Sequence, residues 1–178
     1  KEWIKLAQSV NPLSNDKVYI DDTAGLTPMQ MRSRVRRIML EKGLDLVIID
    51  YLQLMGADGK SENRQQEVSE ISRRLKAIAL ELKIPILACA QLSRANTQRT
   101  VKRPMLSDLR DSGSIEQDAD VVMFLHREAY YDQTSEETNT AEVIIAKQRN
   151  GPLGTVKLNW LSEFTLFEDM YTDDAVET

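Results

Sequence analysis

Several groups of residues in this chain have types and spacings that could do chemistry. Asp50 directly follows four apolar residues, Leu46, Val47, Ile48 and Ile49. A carboxylate beyond the carboxyl end of a strand in an open parallel sheet can reach a bound cation and phosphates, and a turn-capping carboxylate is the plainer alternative. Gln91 ends a second apolar run, Ile84 to Ala90, where a glutamine hydrogen-bonding local backbone is the plain reading. Lys147 and Arg149 stand two apart in a strand-like run, so both side chains project from one face. Exposed cations at a strand end are usually solvent-facing. The densest basic stretch outside the helices holds Arg94, Arg99, Lys102 and Arg103 and runs into MLSDLRDSGSIEQDAD, where Gly113 frees the backbone to approach a partner closely.

These groups have to be positioned by regular elements. Leu46 to Ile49 is β-branched and too short for a helix, which predicts a strand buried on both faces. KVYIDD, with Val18 and Ile20, predicts a short strand before it. Thr27 and Pro28 supply a capping hydroxyl and a first-turn proline, so a helix is expected over Met29 to Lys42, closed by Gly43. Its Arg32, Arg36 and Arg37 read most simply as a solvated face, with a subunit or phosphate contact as the alternative. SENRQQEVSEISRRLKAIALELK predicts a long helix with Val68, Ile71, Leu75, Ile78, Ala79 and Leu82 as its buried stripe. Strand, helix, strand, helix, strand in this order implies right-handed crossovers and a parallel sheet, which gathers Asp22, Asp50 and Gln91 along one edge. Val121 to Leu125 predicts another buried strand, and AEVIIAKQR, TVKLNW and FTLFED a run of three more. Trp3 to Val10 has helical spacing, and the residues beyond Met170 form an acidic tail expected to be disordered.

Composition narrows the chemistry. At 178 residues, 42% hydrophobic and 29% charged, the chain suits one globular domain, residues 1–170, with the tail at 171–178. One cysteine, Cys89, in the run PILACA, is expected to be a small buried hydrophobe, and it cannot build a disulfide framework. His126 is the single histidine, so a histidine zinc cluster is excluded. A net charge of -5 argues against a uniformly basic nucleic-acid coat and leaves a local strip open. No apolar run approaches a bilayer span and no signal-peptide pattern opens the chain, so no membrane partner and a cytoplasmic location are expected.

The glycines, at 25, 43, 56, 59, 113, 151 and 154, head no GxxxxGK[ST] sequence. The chain therefore offers a candidate magnesium carboxylate without the loop that wraps nucleotide phosphates.

LVIIDYLQLM, ENRQQEVSEISRRLKAIALELKIPILACAQLSR, KRPMLSDLRDSGSIEQDADVVMFLHREAYY and AKQRNGPLGTVKLNW together resemble the C-terminal motor domain of the bacterial replicative DNA helicase of the DnaB type, over residues 17 to 168. That resemblance implies an α/β, RecA-like P-loop NTPase core: a largely parallel central sheet flanked by helices, with antiparallel strands near the C-terminus. It implies a homohexameric ring that moves along single-stranded DNA using ATP and Mg²⁺, with a primase and a helicase loader as partners. The family's phosphate loop and water-activating glutamate lie in front of the segment matched, so the chain is expected to begin mid-domain and to lack ATPase activity alone.

Carried over by position, Asp50 resembles the Walker B aspartate that supports Mg²⁺, partly through water. Gln91 resembles the sensor that couples the γ-phosphate to the DNA-binding segment. Lys147 and Arg149 resemble the basic pair inserted against a neighbouring subunit's γ-phosphate, Arg149 as the arginine finger. An always-ionised planar guanidinium suits charge spread over phosphoryl oxygens. Arg110, Asp111 and Gly113 match the loop that meets the DNA backbone. Asp111 replaces the glutamate more usual there and is expected to orient Arg110 or cap the turn at Ser112. Two other readings stand beside this one: a related RecA-like ATPase of recombination or primer synthesis, and a nonhydrolysing DNA- or subunit-binding fragment.

Overall fold

The computed structural model describes residue 3 and residues 17–59, 63–93, 99, 102–112, 114–131 and 138–170, with the side chains of residues 110–112 left aside. The expected amino-terminal helix (Trp3 apart), Arg94, Gly113 and the acidic tail lie outside the described residues.

Helix α1, Pro28–Lys42, starts where its capping signals put it. The Thr27 hydroxyl accepts from the Gln30 amide while the Gln30 side chain accepts from the Thr27 amide, a reciprocal capping box. Gly43 ends the helix at φ +80°, a backbone conformation that side-chain-bearing residues seldom adopt. The long helix α2, Arg64–Leu82, is capped by the Asn63 side chain accepting from the Gln66 amide. Its expected stripe is present: Val68, Ile71, Leu75 and Ile78 are buried. Arg32 of α1 forms a two-pronged ion pair with Glu81 of α2, at 2.6 and 2.8 Å, so the arginines of α1 are not simply a solvated face.

Between the helices runs β1, Val47–Ile49, in parallel with β2, Ile86–Ala88; Ile48 lies opposite Leu87. The second sheet of the described residues is an antiparallel meander of β3 (Val121–His126), β4 (Thr140–Gln148), β5 (Gly154–Leu161) and β6 (Leu166–Asp169). The chain is thus α/β with a parallel and an antiparallel sheet. Met31, Val35, Leu52, Met55, Ile71, Leu75, Ile78 and Ile84 form the main core; Leu109, Val122 and Phe124 form a second, and Ile115 packs against both. Gly56 lets the loop after β1 lie on the turn before α1, because a Cβ there would come within 2.5 Å of the Gly25 carbonyl oxygen.

Some expectations fail, and one feature accounts for two of them. The run Leu46 to Ile49 is not buried on both faces: Ile48 is 62% exposed. The strand over Val121 to Leu125 buries Val122, Phe124 and His126 and leaves the alternate residues exposed. Cys89 is exposed rather than buried. Leu87, Cys89, Val121, Met123 and Leu125 line an apolar groove of about 840 Å³ between β2 and β3, two strands that each have one unpaired edge among the described residues. Nothing in the described residues fills that groove, so apolar positions that would be covered on a second side stand open. The expected strand over KVYIDD is also not seen: residues 18–23 pair with no strand among the described residues, and Asp21 is held by Arg34 and Thr23 instead.

Candidate nucleotide and DNA site

Asp50 leaves β1 at its carboxyl end and is exposed. The strand pairing carries past it, with the Cys89 amide donating to the Ile49 carbonyl at 2.9 Å and the Leu52 amide to the Cys89 carbonyl at 2.9 Å. Because the two strands are parallel, Gln91 emerges just beyond β2 on the same sheet edge as Asp50. Gln91 is exposed, while Ala90 packs on the main core and Leu92 on the second. The third expected member of this edge, Asp22, does not join it, since its stretch forms no strand.

A single exposed carboxylate suits one kind of cation. Among the described residues no group of three or more His, Cys, Asp or Glu could cage a metal. Mg²⁺ is commonly held by one or two carboxylates together with waters and substrate phosphates, and Asp50 fits that donor set. The chemistry such an ion supplies is neutralisation of phosphate charge.

Lys147 lies in β4 while Arg149 stands one residue past its end, so the expected strand does not hold the pair; both side chains nevertheless reach the short helix α3, Ile115–Asp118, and the residue that follows it. Lys147 Nζ donates to the carbonyls of Glu116 and, at 2.7 Å, Ala119. Arg149 Nη2 donates to the Gln117 carbonyl at 2.6 Å, and its Nε lies 3.6 Å from Asp120. Cations suit a helix C-terminus, whose last carbonyls have no partner within the helix. Asp120 also pairs with Lys76 of α2, and the Lys76 hydrogen bond, with the charges of Lys76, Arg149 and Lys147, holds its carboxyl below the usual range.

The basic segment enters a 3₁₀ helix, Leu106–Ser112, which carries Arg110 and Asp111. Asp108 fixes its start: the buried carboxylate accepts from the Met105 amide at 2.9 Å and from Arg99 at 2.6 Å. The Asp108 carbonyl in turn accepts from the Ser93 amide at 3.1 Å, two residues past Gln91. Arg99 and Arg103 are therefore engaged, Arg103 with Glu142, and Lys102 stacks over Tyr131 at 5.6 Å. Arg99 keeps 30% and Arg103 42% of its side chain exposed, so both are engaged within the chain and still partly solvated.

Two residues of this site escaped the sequence reading. Asp108 sits where an acidic residue caps a tight turn, a signal present in MLSDL. Gln53 is a polar residue inside YLQLM, and its side chain bonds the backbone of Gln91, a contact across 38 residues that no local pattern announces.

A family model described as the DnaB-like helicase C-terminal domain matches residues 1–169. The replicative DNA helicase DnaC of Bacillus subtilis is 54% identical over 178 residues, covering 98% of this chain and 39% of that protein. The replicative DNA helicase DnaB of Geobacillus stearothermophilus is 54% identical over 171 residues, covering 96% and 38%. The chain spans about two fifths of the length of these curated relatives. A solved ATPase domain superposes at a TM-score of 0.90 with 44% identity, covering 96% of this chain and 61% of that one. A solved DnaB-like replicative helicase, described with its interactions with primase, gives 0.89 and 44%, covering 96% and 41%. With the α/β fold, the sheet edge and the sequence in agreement, the chain belongs to the DnaB-like helicase C-terminal domain family.

Proposed function

We propose that this chain is the greater part of the motor domain of an ATP-dependent replicative DNA helicase, a cytoplasmic homohexamer that moves along single-stranded DNA and works with a primase and a loader. The observation that carries the reading is the shared sheet edge, where parallel β1 and β2 end with Asp50 and, two residues past the position level with it, Gln91, in a chain of this family. Asp50 would hold Mg²⁺ of bound ATP, partly through water, and Gln91 would sense the γ-phosphate. Lys147 and Arg149 would serve the site of the adjacent subunit, and Arg110, Asp111 and Gly113 would meet the DNA backbone. Residues 1–170 then form a partial ATPase domain and 171–178 a tail.

The phosphate loop comes, on this reading, from a segment in front of the present one. The groove between β2 and β3 supports it, since two strand edges and an apolar lining suit one further strand. The 178-residue chain by itself is expected to hydrolyse no ATP.

The test uses the full-length protein that carries this chain. Arg149→Ala should lower DNA-stimulated ATP turnover by about a thousandfold while nucleotide binding stays within a few-fold. Mixing Arg149→Ala subunits with subunits defective in the phosphate loop should restore part of the turnover if the arginine acts across a subunit boundary. Unchanged turnover in Arg149→Ala would remove the finger assignment.

A further inference from the structure

We infer that Gln53 is a positioning residue for Gln91. This rests on the reading of Gln91 as the γ-phosphate sensor. Gln53 Nε2 donates to the Gln91 carbonyl at 3.1 Å, and the Gln91 amide donates to Gln53 Oε1 at 3.2 Å. One side-chain amide thus satisfies both backbone groups of one residue, as a neighbouring strand would. The orientation of the amide is fixed by that pairing, because the reverse would set oxygen against oxygen and N–H against N–H.

The position of this pair gives it meaning. Regular pairing of β1 with β2 ends at Ile49 and Ala88, and the last main-chain link is the Leu52 amide on the Cys89 carbonyl. Gln91 lies beyond that link, where among the described residues the backbone has no strand at its side. Gln53 adds one further rung there, made from a side chain.

Gln53 is itself held. Arg64, the first residue of α2, donates to the Gln53 carbonyl and, at 3.5 Å, to the Met55 carbonyl. Leu52 and Met55 on either side are buried in the main core. Asp50 and Gln53 belong to the same short segment, so the carboxylate and the sensor's backbone are set in one register. Immobilising a glutamine costs side-chain freedom and, at a half-buried position, gains little apolar burial. The return is a fixed Cα–Cβ direction at Gln91. A reporter of the γ-phosphate needs that direction constant to within a fraction of an ångström.

The experiment compares Gln53→Ala, Gln53→Glu, Gln91→Ala and the double variants in the full-length protein carrying this chain. It reads the kcat and KM of DNA-stimulated ATP hydrolysis beside the melting temperature. Gln53→Ala should lower kcat about tenfold with KM for ATP within twofold. Gln53→Glu keeps size and acceptor but faces the Gln91 carbonyl with a carboxylate, so it should lose at least as much without a lower melting temperature. Adding either change to Gln91→Ala should leave its residual turnover unaltered. A wild-type kcat in Gln53→Glu, or an undiminished loss in the Gln91→Ala background, would overturn the positioning role while leaving the sensor reading intact. Full turnover in Gln91→Ala alone would remove the sensor reading, and this inference with it.

Discussion

Lys147 Nζ lies 2.7 Å from the carbonyl oxygen of Ala119, so the cation expected to serve a neighbour's nucleotide is bonded, in this structure, to a helix of its own chain. Arg149 does the same on the Gln117 carbonyl at 2.6 Å. The helix they cap, α3, begins two residues after Gly113, at the end of the segment expected to meet DNA. The carbonyls they occupy are the unpaired C-terminal groups of that helix, which the two cations satisfy. Lys147→Met keeps the stem and removes the charge, and is expected to cost about 1–2 kcal/mol of stability from the lost charge-assisted bonds. Urea unfolding of the full-length protein measures this, and an unchanged midpoint would mean that solvent satisfies those carbonyls equally well.

The Asp108 carboxylate is 5% exposed and carries both the Met105 amide and the Arg99 guanidinium. Asp108→Ala strips the start of the 3₁₀ helix of its cap and leaves Arg99 partly buried without its anion. The expected cost is about 3 kcal/mol, from breaking a partly buried pair on one side only. Because the Asp108 carbonyl also holds the Ser93 amide, amide exchange should quicken along residues 106–112 and at Ser93 together. Protection lost in one segment and kept in the other would separate the two.

Asp120 gives a pH dependence with a definite sign. Its carboxyl sits below the ordinary 3.8, first because Lys76 donates to it and then through the charges of Lys76, Arg149 and Lys147. A carboxylate whose folded pKa is depressed adds stability that is present above its unfolded pKa and is lost as pH falls through the folded value. The contribution is small, since the side chain is half exposed. Carbon-13 detected titration should find the Asp120 midpoint below that of an ordinary aspartate, and Lys76→Ala should move it upward. An unmoved midpoint in Lys76→Ala would place the cause elsewhere.

How far the sequence went depends on how local each feature is. The Thr27 cap with Pro28 and the stripe of α2 are written within a few residues each and were legible, and the parallel pairing of β1 with β2 followed from the order of strand, helix and strand; the partnership of Gln30 in the cap was not read. The positions of Asp50 and Gln91 at one sheet edge were legible because each ends an apolar run. The openness of Ile48 and Met123 was not legible, because an apolar run states that burial is favourable and says nothing of whether the covering element is present. The same limit applies to Gln53, whose partner is 38 residues away, and to Arg99 and Arg103, whose acids lie 9 and 39 residues on. Pairing at that range is decided by packing, after the elements have formed.

The groove between β2 and β3 makes a prediction about the larger protein. Leu87 is 44% and Met123 50% exposed here, and both line the groove. If a strand from the parent occupies it, each becomes a core residue, and Leu87→Arg or Met123→Arg should destabilise the full-length protein by several kcal/mol through burial of an unpaired charge. The isolated 178-residue chain should bind an apolar fluorescent dye strongly, and either substitution should reduce that binding. Full-length Leu87→Arg melting at the wild-type temperature would show that the groove stays open in the parent.

Arg110 tests the nucleic-acid side. A guanidinium that meets phosphate releases a condensed counterion, so Arg110→Ala should weaken single-strand binding about equally for any base composition. The slope of log affinity against log salt should become shallower by roughly 0.7, the value for one phosphate contact on a single strand. The measurement is fluorescence anisotropy with oligo-dT and a mixed-sequence strand across a salt series, using the full-length protein. Asp111→Ala separates orientation from contact. If Asp111 aligns Arg110, its loss should reduce affinity without changing the slope; if it only repels phosphate, affinity should rise. An unaltered slope in Arg110→Ala, with affinity preserved, would detach this segment from DNA and leave the basic stretch as the structural brace that Arg99 and Arg103 already make of it.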